Sequence, residues 1–113
     1  MANVKIAAVC MGCDPYDVSA NLEKMLGYVR SAAEQNCNLI VFPEEVLTGV
    51  GTVGMQQFKP EDKLTFMKNA QLIPEGDSVQ VLVEAAKEYR IYINWSMAEQ
   101  DAERFDATYN TSV

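Results

Sequence analysis

The chain has 113 residues, 49% of them hydrophobic and 22% charged, and its 9 basic against 16 acidic residues give a net charge of −7, which suits one compact globular domain. Its lysines Lys59, Lys63 and Lys68 are scattered among acids and apolar residues, so no basic cluster is offered to phosphate backbones or anionic lipid, and nucleic-acid or membrane partners are not expected. Histidine is absent altogether; that removes the commonest general base, the Ser–His and Cys–His pairs and most zinc sites, and leaves any chemistry to carboxylates, lysines, tyrosines or cysteines.

Val4 to Met11 (VKIAAVCM) is short, apolar and partly β-branched, and reads as a buried strand. Gly12 to Tyr16 is turn chemistry, with Pro15 preventing an early helix. Asp17 to Asn36 reads as a helix: Leu22, Met25, Leu26, Val29, Ala32 and Ala33 share one face, Asp17 or Ser19 can cap its start, and Asn36 or Asn38 supplies the stop. Leu39 to Phe42 is a second buried strand, closed by Pro43, which has no N–H to donate. Strand, amphipathic helix and strand make a βαβ unit with parallel strands and a right-handed crossover.

Leu47 to Phe58 carries Gly49, Gly51 and Gly54, but their spacing matches neither a P-loop nor a complete GxGxxG, so this is a permissive loop rather than a phosphate cradle. Glu61 to Asn69 predicts a short helix. Asp77 to Tyr89 predicts a full one, with Val79, Leu82, Val83 and Ala86 as its stripe and Asp77 and Gln80 spaced as a capping box. Arg90 to Met97 reads as a third strand, Ala98 to Ala107 as polar turn, and Thr108 to Val113 as a fourth strand on which the sequence stops. No apolar run reaches the ~20 residues of a membrane span. The run Ile6 to Met11 is too short for a signal-peptide core and no cleavage site follows it, so the expected location is cytoplasmic. The odd set Cys10, Cys13 and Cys37 does not look like a secreted disulfide framework.

The stretch NLIVFPEE, residues 38–45, drives a strand into the core and ends it in acid. In open α/β sheets ligands bind beyond the carboxyl ends of the strands. Glu44 sits at such an end, where Phe42 and the glycine loop could desolvate it and raise its proton affinity, as a general base requires. Spacing alone favours the plainer reading that Glu44 and Glu45 are solvated strand-end acids, because acids after strands are common. Adjacent residues also point in different directions, so at most one of them faces a site.

The strand VKIAAVCM, Asn21 early in the helix, and NLIVFPEEVLTGVG together closely resemble the N-terminal part of the nitrilase superfamily of carbon–nitrogen hydrolases. Later segments agree in order: Pro74-Glu75-Gly76 before the second long helix, Glu99 after the third strand, and Tyr109-Asn110-Thr111 in the last one. The resemblance spans nearly the whole chain. It implies an α/β fold, the N-terminal part of an α-β-β-α sandwich, with residues 1–113 forming a single domain incomplete at its C-terminus. It implies a Glu-Lys-Cys mechanism in which Glu44 is the general base that activates a cysteine thiol. The thiolate attacks an amide, nitrile or carbamoyl carbon, and the lysine stabilises the negative charge that develops. It implies no cofactor and no metal, a small-molecule substrate, and a homo-oligomer or a partner subunit.

The family's lysine and cysteine lie beyond the Tyr-Asn-Thr strand, so neither role has a holder here and the segment alone is expected to be inactive. Cys10 reads as core packing, and the formal CxxC of Cys10 and Cys13 lacks the helix that a thioredoxin-like pair opens; these thiols with Cys37 are too few for a zinc site. Trp95 and Tyr92 read as core or sheet packing. Met55, Phe58, Phe66 and Met67 either line a pocket or cover the sheet, and Thr48 to Phe58 is kept as a substrate-pocket candidate. The alternative to a hydrolase segment is a non-catalytic short relative, working as a binding or assembly module or as one half of a split enzyme. Half a two-sheet sandwich would expose an apolar face that needs a partner.

Overall fold

The computed structural model describes residues 3–49 and 59–113. Its elements are β1 (Ile6–Ala8), α1 (Val18–Glu34), β2 (Leu39–Val41), α2 (Pro60–Asn69), α3 (Asp77–Tyr89), β3 (Tyr92–Asn94), β4 (Ser96–Gln100) and β5 (Thr108–Ser112). β1, β2 and β3 form a parallel sheet in that order; the pairing of β1 with β2 is the one the βαβ reading requires, and β3 adds to the other edge of β2. α1 and α3 pack on each other across one face of it, because successive crossovers of one hand put both helices on the same side. The core lies there: Met25, Val29 and Ala32 of α1, Val79, Leu82 and Ala85 of α3, and Ile40 of β2 are all buried.

Both long helices follow their predicted stripes, but their ends differ in detail. Asp17 caps α1, its carboxylate accepting from the Ala20 N–H at 2.9 Å, and Asn36 leaves the helix in the left-handed region at φ 59°. The expected capping box of Asp77 and Gln80 does not form. Gly76 is the N-cap, Gln80 turns back to donate to the Pro74 carbonyl at 2.7 Å, and Gln71 Oε1 takes the free Ser78 N–H at 2.9 Å. At α2, Pro60 occupies the first turn and the Asp62 carboxylate accepts from the Lys59 N–H at 2.8 Å.

Two strand readings are corrected. The apolar run of β1 reads as fully buried, yet only the helix side is covered. Ala7, Ile40 and Ile93 share one register line and are buried or packed against the core, whereas the adjacent line of Ile6, Leu39 and Tyr92 turns to the open side, with Ile6 57% and Tyr92 79% exposed. A continuous apolar run fits a strand covered on both faces, and within the described residues one cover is absent. Cys10 and Tyr92, expected in the packing, are accordingly exposed.

The strand predicted over Arg90 to Met97 is two strands. β3 belongs to the parallel sheet; β4 leaves it after Trp95 and pairs antiparallel with β5, extending through residues 98–100, where a turn was expected. Trp95 is buried at the crossing, and its backbone exchanges two hydrogen bonds with Val113, at 3.2 and 2.8 Å. Apolar Ile93, Trp95 and Met97 alternate with polar Asn94 and Ser96 straight across the switch, so hydrophobic periodicity carries no mark of it.

Candidate active site

The Phe42 N–H gives the Asn94 carbonyl a ladder bond at 2.9 Å, and Pro43 then has none to give, which frees the chain at the carboxyl end of β2. The tight turn that follows, through Gly49, is buried from Glu45 onward. It closes with the Gly49 N–H on the Glu45 carbonyl at 2.7 Å and is held from three sides. Asn21 of α1, fully buried, donates to the Leu47 carbonyl at 3.1 Å and clasps the backbone of Asp14 through both ends of its amide, at 2.7 and 2.9 Å. The Tyr16 N–H donates to the Thr48 carbonyl at 3.0 Å. From β4, the Ser96 hydroxyl accepts from the Glu45 N–H at 3.1 Å and the Ala98 N–H donates to the Thr48 hydroxyl at 3.0 Å.

This packing separates the two acids. Glu44 is exposed, and one of its oxygens accepts from the Asn110 side-chain amide of β5 at 2.7 Å across 66 residues of sequence. The burial expected of it beside Phe42 is therefore not present among the described residues; Phe42 itself is buried. Glu45, read as a solvated acid, is 6% exposed, with φ 51°. The left-handed backbone at Glu45 sends its side chain inward, away from the solvated direction of Glu44. Among the described residues neither Glu45 carboxyl oxygen has a hydrogen-bond partner in ordinary geometry. Burial pushes this carboxyl above the usual carboxylate range; the nearby Thr48 hydroxyl opposes the shift and the neighbouring Glu44 charge adds to it.

A carboxyl that holds its proton more tightly when folded makes the fold lose stability as pH rises from the unfolded value toward the folded one. Glu45→Met is expected to stabilise the chain by about 1–3 kcal/mol near pH 7.5, the cost of one buried unpartnered polar group. The gain should shrink as pH falls toward ~4.3, where the unfolded glutamate also protonates. Urea titrations of both proteins at several pH values measure this; an equal midpoint at all of them contradicts it.

β5 brings three donors to three carboxylates. Tyr109 donates to Asp101 at 2.6 Å and Thr111 to Glu99 at 2.6 Å, while between them Asn110 reaches Glu44 from the other face of the strand. Asn110 figures in the sequence only within the Tyr-Asn-Thr match and Ser96 not at all, because both are uncharged and neither breaks the strand pattern. Thr48 of the candidate pocket is buried and bonded to β4, and Gly49 is buried; the remainder of that pocket, with Met55 and Phe58, lies outside the described residues. Among the described residues no lysine or cysteine side chain bonds to Glu44, and no group of three or more His, Cys, Asp or Glu could hold a metal ion. Cys10, Cys13 and Cys37 are free thiols, and desolvation by burial is the main force raising Cys13. No described helix is long and apolar enough to cross a membrane.

A parallel sheet ending in a pinned Phe-Pro-Glu turn, with a Tyr-Asn-Thr strand against it, defines a class. Residues 5–113 match the family model described as carbon–nitrogen hydrolase. The chain belongs to the carbon–nitrogen hydrolase family. It is 31% identical over 110 residues to a probable nitrilase of Schizosaccharomyces pombe, covering 96% of this chain and 37% of the relative. It is 30% identical to a nitrilase of Pyrococcus abyssi, covering 97% and 38%, and 36% identical over 94 residues to a mouse omega-amidase, covering 82% and 29%. It thus spans well under half the length of these relatives.

The fold is shared with solved structures. An amidase from Nesterenkonia superposes with a TM-score of 0.58 at 22% identity, covering 96% of this chain and 44% of that one. A glutamine-dependent NAD(+) synthetase from Cytophaga hutchinsonii gives 0.64 at 17%, covering 98% and 17%. The expected nitrilase-like α/β architecture is the observed one.

Proposed function

We propose that this chain is part of one carbon–nitrogen hydrolase domain and supplies its general base, Glu44, for hydrolysis of a small non-peptide amide, nitrile or carbamoyl group. The observation that carries the reading is the position of Glu44: a solvent-accessible carboxylate at the carboxyl end of a central parallel strand, held by Asn110. Nitrilases and an amidase among the relatives support the substrate class.

In this mechanism the Glu44 carboxylate takes the proton of a cysteine thiol as the sulfur attacks the substrate carbon. A lysine ammonium stabilises the charge that develops on the substrate oxygen or nitrogen. With an amide, the proton held by Glu44 passes to the departing nitrogen and a thioester remains. Glu44 then accepts a proton from the water that attacks the thioester and gives it to the cysteine sulfur as the carbon–sulfur bond breaks, and the acid leaves. The lysine and cysteine come from sequence outside this chain.

Ammonia release from propionamide and propionitrile tests the proposal. The 113-residue chain alone is expected to release none above the uncatalysed rate. A polypeptide carrying the same sequence on through a lysine-bearing strand and a cysteine at a strand-to-helix turn is expected to turn over. Turnover by the short chain alone would overturn the placement of the nucleophile outside it.

The open register line of Ile6, Leu39 and Tyr92 favours a second reading, in which the chain works by association as an assembly module or as half of a split enzyme. A stable, well-folded monomer by sedimentation would rule that reading out.

A further inference from the structure

Four groups from three parts of the chain form one line of hydrogen bonds that ends on Glu44. The Glu45 N–H donates to Ser96 Oγ at 3.1 Å, Ser96 Oγ donates to Asn110 Oδ1 at 2.8 Å, and Asn110 Nδ2 donates to Glu44 Oε1 at 2.7 Å. The carboxylate end fixes the sense of the line. An ionised carboxylate accepts only, so Asn110 turns its NH₂ to Glu44 and its Oδ1 to Ser96. That oxygen takes the Ser96 proton, and the Glu45 N–H, which can only donate, rests on a Ser96 lone pair. Reversing the amide would set oxygen against carboxylate and leave the Ser96 proton facing an NH₂.

Ser96 is a buried anchor whose position is set by β4, and its strand neighbours pair in register with β5. The line therefore ties an exposed carboxylate to a rigid buried point. Without it Glu44, on the rim of a turn, has no other hydrogen-bond partner among the described residues.

We infer that Asn110 and Ser96 are positioning residues for Glu44: Asn110 holds one carboxylate oxygen in place, Ser96 anchors the Asn110 amide by its oxygen, and the other carboxylate oxygen is left to face the reacting proton. This rests on the reading of Glu44 as the general base. It assigns to two uncharged side chains the task of keeping the base in a single pose, which a proton transfer within hydrogen-bonding reach demands.

The test has two arms that fail separately. In the first, the Asn110 side-chain amide is identified in ¹⁵N-labelled protein by its loss in Asn110→Ala. Its protons are expected to exchange about tenfold or more slower than those of a free asparagine amide. Ser96→Ala should abolish that protection, and Ser96→Thr, which keeps the hydroxyl, should restore it. Exchange at the free rate in the parent protein, or protection unchanged in Ser96→Ala, overturns the line itself.

The second arm uses the polypeptide that hydrolyses propionamide. Asn110→Ala and Ser96→Ala are expected to lower kcat by about 10- to 100-fold with KM within about twofold, as loss of orientation does. An unchanged kcat beside an inactive Glu44→Gln would overturn the positioning role. Full activity in Glu44→Gln would instead overturn the base reading, and the positioning role would fall with it even if the amide stays protected.

Discussion

Gly49→Ala is expected to leave the chain largely unfolded. Gly49 has φ 80°, and a Cβ built on it would stand 2.3 Å from the Asp14 carbonyl oxygen, 2.9 Å from Asn21 Nδ2 and 3.0 Å from the Asp14 carbonyl carbon. Two of these are backbone atoms, and the third belongs to a buried amide that bonds Asp14 and Leu47, so none of them can swing aside. The left-handed backbone costs an alanine about 1–2 kcal/mol. Forcing an extra methyl into a packed site costs about 1–3 kcal/mol, and parting Asn21 from the carbonyls it serves costs about 1–3 kcal/mol more. The sum approaches the ~5–15 kcal/mol that holds a typical domain together. Circular dichroism and urea titration measure the loss; a midpoint within about 1 kcal/mol of the parent would show that the turn yields and that its tight contact with Asp14 is dispensable.

Glu44→Gln is expected to do the opposite: leave the fold nearly unchanged and stop the chemistry. The side chain is exposed and a glutamine oxygen can still accept from Asn110, so stability should stay within about 0.5 kcal/mol of the parent. An amide cannot take the thiol proton, so in the polypeptide that hydrolyses propionamide the rate of thioester formation should drop by about 10²- to 10⁴-fold, the usual contribution of a general base. Mass spectrometry of the acyl-enzyme in a single turnover reads this step directly. Thioester formation at the parent rate would mean that Glu44 is not the base.

The two substitutions lie five residues apart and separate two jobs of one turn. Gly49 and Asn21 allow the turn to press against the loop before α1; Glu44 stands exposed at its rim, where the proposed chemistry would use it. A strand that ends in a proline and an acid, followed by a threonine and a glycine, can be read in both roles because the same segment needs both.

Much of this was legible in the residues. The stripe of Met25, Val29 and Ala32 repeats at helical spacing, and burial on one face of α1 follows directly. Leu39 to Phe42 is too apolar and too short for anything but a strand in the sheet, and Pro43 ends its pairing because proline lacks a donor. Parallel pairing of β1 and β2 follows from the alternation of strand and helix. The absence of histidine narrowed the chemistry before any geometry was known.

Other features belong to the tertiary structure because they join residues with no local relation. Which of Glu44 and Glu45 faces water depends on a left-handed backbone at Glu45, imposed by contacts with β4 rather than by any preference of glutamate. The bond from Asn110 to Glu44 spans 66 residues and exists only because β4 turns out of the parallel sheet at Trp95 and brings β5 beside it. Hydrophobic periodicity and turn residues are short-range signals, so the sequence by itself determined the helices, the parallel pairing of β1 and β2 and the acid at the end of β2. The pose of that acid, the burial of its neighbour and the hydrogen bonds that hold them were decided by long-range packing, which no local pattern encodes.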